Sequence, residues 1–172
     1  SWYETDQGAL YSTRICADEP FLMEGVFEIN AGADPSDDPF VGFRVGGLLA
    51  KVPGEDNWAA SLAGHACGEA NQAEWKTAIN GDTDYPDCYG TGQVETVALR
   101  LCRSPNGELF GGYQVNGGQW QDSSGNYDAV LTHDGPMDIG LTAYQNDPGP
   151  DTEVTVHYFA IEALGDSAEC YQ

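Results

Sequence analysis

The chain has 172 residues, with 6 Lys and Arg against 28 Asp and Glu, and so a net charge of −22. A surface this negative repels phosphate backbones and anionic lipid heads, which proteins hold by placing Lys and Arg on phosphates, and this excludes nucleic acid and membrane surfaces as partners. With 41% hydrophobic and 11% aromatic residues the chain can bury the core of one domain, residues 1–172, and it is not a disordered acidic tail.

From Gly8 onward, Gly, Pro, Asn and Asp punctuate the sequence roughly every eight to twelve residues, between short runs of Val, Leu, Phe, Tyr and Thr, the spacing of an all-β chain. In chain order the predicted strands are Ala9 to Cys16, Phe21 to Asn30, Phe40 to Val45, Trp58 to Gly64, Glu74 to Ile79, Val94 to Arg103, Leu109 to Val115, Met137 to Gln145 and Glu153 to Leu164. The fifth is ambiguous. Glu69 to Asn80 carries Ala, Gln, Glu and Lys, tolerable in a helix ended by Gly81, yet Ala73, Trp75, Thr77 and Ile79 alternate as in a strand, and the strand is preferred. Asn80-Gly81, Asn106-Gly107 and Asn116-Gly117 are expected to supply the positive φ angles of tight hairpin turns. Nine antiparallel strands must close into a sandwich or barrel to hide their edges.

No apolar run is long enough for membrane insertion, and nothing at Ser1 resembles a basic-plus-apolar signal peptide, so the chain is expected to be soluble and already processed or excised. Five cysteines, Cys16, Cys67, Cys88, Cys102 and Cys170, include no C-x-x-C, which argues against zinc and thioredoxin chemistry. Their odd number reads as one or two disulfides plus a leftover thiol in an oxidising compartment, hence a secreted or extracellular protein. Cys102, within the alternation of Val97, Leu99 and Leu101, reads as a small buried hydrophobe.

The string Val97-Ala-Leu-Arg-Leu-Cys-Arg-Ser-Pro-Asn-Gly-Glu-Leu-Phe-Gly-Gly-Tyr113, followed by Gly117-Gly118-Gln119-Trp120, resembles a hallmark of concanavalin A-like lectin/glucanase domains. Met137-Asp-Ile-Gly-Leu-Thr-Ala-Tyr144 and Val156-His-Tyr-Phe-Ala-Ile161 look like further strands of that superfamily, although His157-Tyr158-Phe159 departs from its common Phe-Asp pattern. The resemblance implies a two-sheet antiparallel jelly-roll β-sandwich in which Phe21 to Ile29 pairs with the terminal strand and Trp120 is a structural corner. That pairing would bring Cys16 close to Cys170, while Cys67 and Cys88 bracket the Glu74 to Ile79 strand and can staple it.

Three chemistries are open to such a domain. Glu24 and Glu28 share one strand face, but four residues separate them by about 13 Å, beyond the roughly 5 to 9.5 Å that glycoside hydrolysis needs, and the superfamily's Glu-x-Asp-x-x-Glu string is absent. Calcium is better supported: Asp34, Asp37 and Asp38 in one loop, and Asp147, Asp151 and Glu153 near another, supply hard oxygen ligands that the implied strand pairing sets at one rim. Asp82, Asp84 and Asp87 form a further acidic group. For a glycan or polysaccharide, whose CH-rich faces stack on rings, the candidate residues are Trp58, Trp75, Tyr85, Tyr89 and Tyr113, with Tyr85 and Tyr89 expected in an exposed loop from Asp82 to Gly92.

The leading expectation is a secreted noncatalytic carbohydrate-binding or adhesive module, stabilised by Ca²⁺. One alternative is a homo-oligomeric extracellular building block, a filament, sheath or surface layer whose assembly depends on divalent cations because its charge opposes self-association. Another is a glycan-cleaving enzyme.

Overall fold

The structure is a computed structural model that describes residues 9–16, 19–30, 43–67, 69–83, 87–92, 96–124, 130–145 and 152–164. Its elements in chain order are β1 (Ala9–Ile15), β2 (Phe21–Asn30), β3 (Arg44–Lys51), β4 (Trp58–Ala66), β5 (Glu69–Ile79), β6 (Asp82–Thr83), β7 (Asp87–Gly90), β8 (Val97–Arg103), β9 (Leu109–Val115), β10 (Gln121–Asp122), β11 (Met137–Gln145) and β12 (Glu153–Ala163). One sheet of seven strands runs β1-β11-β3-β4-β5-β6, with β7 also on β5; the other, of five, runs β10-β9-β8-β2-β12. All pairs are antiparallel. Among the described residues no helix is long and apolar enough to cross a membrane.

Alternation sends every second side chain of each strand between the sheets. Met23, Phe27, Leu99 and Leu101 from the five-stranded sheet meet Leu48, Ala63, Trp75, Met137 and Ile139 from the other in one buried cluster. Two glycines set how closely the layers approach. A Cβ on Gly46 would stand 2.6 Å from a Val154 methyl, and one on Gly111 would collide with the Trp75 indole, so each glycine is the hollow for a bulky residue of the facing sheet. Arg103, buried at the end of β8, donates to the carbonyls of Cys16, Glu19, His133 and Gly135 and ties together the segments that enter β2 and β11.

β2 pairs with β12 along its whole length, Asn30 opposite Glu153, as the resemblance implies. Elsewhere the structure shifts the expectations. The third predicted strand lies later, at Arg44–Lys51, because Gly46 and Gly47 serve close approach rather than a break. The fifth is a strand throughout and begins at Glu69. Asn80-Gly81 and Asn116-Gly117 have positive φ at both residues, but Asn106 does not: Pro105 fixes a type I turn in which only Gly107 is left-handed, at φ 78°. The stretch expected as an exposed loop carries β6 and β7, which are short strands added to β5.

Candidate functional site

The two sheets turn very different faces away from each other. On the seven-stranded sheet, Val45, Leu49, Trp58, Ala60, Leu62, Ala78 and Tyr144 point away from the sandwich interior and yet form a second buried cluster with Phe43. Glu74 and Lys76 lie within it, on the same face of β5. Glu74 sits between Leu62 of β4 and Cys88 of β7, is 1% exposed, and neither of its carboxyl oxygens has a hydrogen-bond partner among the described residues. Burial pushes its carboxyl up to about 7, against the opposing pull of Lys76. Burial likewise lowers the Lys76 ammonium, with Glu74 pulling the other way, and the ammonium rests 5.2 Å from the centre of the Phe43 ring.

The outward face of the five-stranded sheet is polar and partly open beyond a small buried patch of Leu22, Cys102 and Leu164. Arg100 of β8 stands between Glu24 of β2 and Gly112 of β9. Its guanidinium donates to Glu24 Oε1 at 2.8 Å and lies 3.8 Å from the centre of the Trp120 ring. Gly112 permits this: a Cβ there would press on Arg100 Cγ at 3.2 Å, and without one the side chain lies flat across β9 to the indole. Beside this cluster Glu28 meets His157 at 3.1 Å, where β12 is irregular between Val156 and Tyr158, and Tyr158 is 50% exposed. A half-buried indole, an exposed phenol, a guanidinium and two carboxylates on one solvent-facing sheet offer stacking and hydroxyl recognition together.

Of the aromatic residues singled out in the sequence, Trp75 and Tyr113 are buried between the sheets and Trp58 within the second cluster, so none turns a ring face to solvent. Tyr89 is half-buried with its ring 5.5 Å from that of Tyr113, and Tyr85 lies outside the described residues. Of the metal ligands only Glu153 is described, exposed at the start of β12; Asp34, Asp37, Asp38, Asp147 and Asp151 lie outside. Among the described residues no three metal-ligating side chains gather. A disulfide joins Cys67 to Cys88, Cys102 is buried with Leu22 and Leu164, and Cys16 is exposed while Cys170 lies outside the described residues. A cavity of about 30 Å³ beside Phe27, Ile29, Gln72 and Thr91 has room for about one water and none for a sugar ring. The Arg100–Trp120 stack escapes sequence reasoning, although Gly112 directly opposite an arginine is its signal.

No protein family and no curated protein matches the chain by sequence. By structure it is similar to a Saccharomyces cerevisiae protein of unknown function, with TM-score 0.67 and 14% identity over 92% of this chain and 76% of that one. It is similar to a xylan beta-1,4-xylosidase from Bacillus halodurans, with TM-score 0.59 and 13% identity over 83% of this chain but only 27% of the enzyme. Peanut lectin aligns with TM-score 0.51 and 10% identity over 83% of this chain and 70% of the lectin. The two antiparallel sheets, the pairing of the early with the terminal strand and these likenesses show a two-sheet antiparallel jelly-roll β-sandwich, a fold that this chain shares with peanut lectin.

Proposed function

We propose that this chain is a secreted, noncatalytic carbohydrate-binding module that docks a glycan on the outward face of its five-stranded sheet. The observation that carries the reading is the open cluster of Trp120, Arg100, Glu24 and Tyr158 on a lectin-like sandwich. A pyranose laid on this face has an aromatic edge for its CH-rich side, and hydrogen-bond donors and acceptors for its hydroxyls. The Cys67–Cys88 disulfide is compatible with an oxidising, extracellular setting. Calcium belongs to the same proposal as a stabiliser of the rim where Asn30 meets Glu153.

A broad glycan and polysaccharide array, run with Ca²⁺ and again with chelator, tests it. We expect a defined set of glycans to bind, Trp120→Ala and Tyr158→Ala each to weaken that binding about tenfold or more with the fold intact by circular dichroism, and chelator to lower the melting temperature. Glycan binding unaffected by both variants moves the site to the neighbourhood of Tyr85 and Tyr89. Sugar release from a bound polysaccharide overturns the noncatalytic reading.

A further inference from the structure

Two features meet across the short ladder between β5 and β7. Cys88 of β7 stands directly opposite Glu74 of β5 and packs against the second apolar cluster, so the two side chains share one face. Cys88 is also bridged to Cys67, in the tight turn between Ala66 and Glu69, where Cys67 holds a left-handed φ of 54° that Asn or Gly adopts more readily. Little else holds β7. Among the described strands it pairs only with β5, through the four residues Asp87–Gly90, and past its end Thr91 donates from N and Oγ1 to the carbonyl of Asn71. The bridge therefore clips this edge strand to the hairpin that carries Glu74, and beneath the clip lies a carboxyl that is 1% exposed and has no hydrogen bond among the described residues. Around it stand Leu62 from β4 and Cys88 from β7. On its own strand are Lys76, whose ammonium rests over Phe43, and Gln72, which donates to Glu69 at 3.2 Å. Tyr144 of β11 lies in the same cluster.

We propose that the Cys67–Cys88 bridge is a thiol-sensitive latch on β7, and that its release lets the ionised Glu74 open the β5–β7 edge to water while the rest of the sandwich stays folded. The exchange is balanced by an external dithiol, which gives up two electrons and two protons and closes into a disulfide while the bridge becomes the thiols of Cys67 and Cys88. Both cysteines are half-buried, so a small dithiol reaches them. Once the bridge is cut, protonation decides the position of β7. A neutral carboxyl tolerates the closed edge; a carboxylate there has lost its water and found no donor among the described residues, and it regains water when β7 lifts. Burial raises Glu74 from 4.5 to about 7 in the closed form, so the tendency to open is absent below about pH 4.5 and grows until about pH 7. Opening thus needs a cut bridge and an ionised carboxyl together, and lifting β7 frees the edge of β5 from Gln72 to Trp75.

The test is amide exchange of the whole chain, oxidised or reduced with excess dithiothreitol, at about pH 5 and about pH 8, expressed as protection factors so that the intrinsic pH dependence of exchange cancels. In the reduced protein the amides shared by β5 and β7 should lose protection about tenfold or more at about pH 8 and regain most of it at about pH 5, while the oxidised protein keeps it at both. Glu74→Gln and Glu74→Met, reduced at about pH 8, should stay protected, and Cys67→Ser should behave as the reduced parent without any dithiol. Amides shared by β2 and β8 report on global unfolding and should stay protected throughout. Unchanged protection on reduction, equal loss at both pH values, equal loss in both Glu74 variants, or loss in β2 and β8 together with β7 overturns the proposal.

Discussion

Each sheet carries a carboxylate and a cation on its outward face, and the two pairs sit in opposite surroundings. Glu24 and Arg100 are bonded at 2.8 Å on a partly solvated face, with the arginine also stacked on Trp120. Glu74 and Lys76 are buried among Leu62, Cys88 and the second apolar cluster, and the carboxyl there lacks a hydrogen bond among the described residues. The same residue chemistry is therefore a bonded surface pair on one side and a source of electrostatic tension on the other. Solvent, not residue type, decides which.

The contrast can be broken most strongly at Trp58. Trp58→Ala opens a hole in the covered face and should cost about 4 kcal/mol in urea unfolding, whereas Tyr158→Ala on the open face should stay within about 0.5 kcal/mol. If the two cost the same, the covered face is not a core. Next comes the staple at its border: removing the Cys67–Cys88 bridge, which spans 21 residues, should lower stability by about 3 kcal/mol without altering the glycan binding proposed for the other sheet.

Glu74 sharpens the comparison through pH. Its value in the folded protein, about 7, lies above its ordinary 4.5, so its contribution to stability is whole below about pH 4.5 and is lost as pH rises through 7. Glu74→Gln should flatten that fall and be more stable than the parent by about 3 kcal/mol at pH 8, with little difference at pH 4.5, as read from unfolding midpoints across pH. A parent whose stability rises from pH 5 to 8 relative to Glu74→Gln would show that Lys76 wins over burial. Smallest of all is the pair on the five-stranded sheet: a double-mutant cycle on Glu24 and Arg100 should give a coupling of about 1 kcal/mol, because Glu24 keeps contact with water although Arg100 is largely covered.

Much of the architecture is legible in the sequence. The alternations in Phe21 to Asn30, Leu109 to Val115 and Met137 to Gln145 delimit strands to the residue, and two of the three Asn-Gly pairs form the turns that their left-handed preference implies. What stayed hidden depends on neighbours that sequence spacing does not reveal. Trp58 and Trp75 read alike as aromatic candidates, yet one belongs to the covered face and the other to the interior. The covered face did leave a trace, since Gly46 to Ala50 is apolar on both parities and Trp58 to Ala66 is so apart from Ser61 and His65, the mark of a strand buried on both sides. Arg103 left none, because its partners are backbone carbonyls that any residue provides.

That arginine bears on how the chain matures. The carbonyls it holds come from segments on either side of it in sequence, around residues 16–19 and 133–135. As the chain emerges during synthesis, the guanidinium is made long after its first acceptors and before its last. The guanidinium therefore stays hydrated until both sets of carbonyls exist, and the complete tie closes only when the strand beginning at Met137 is at hand.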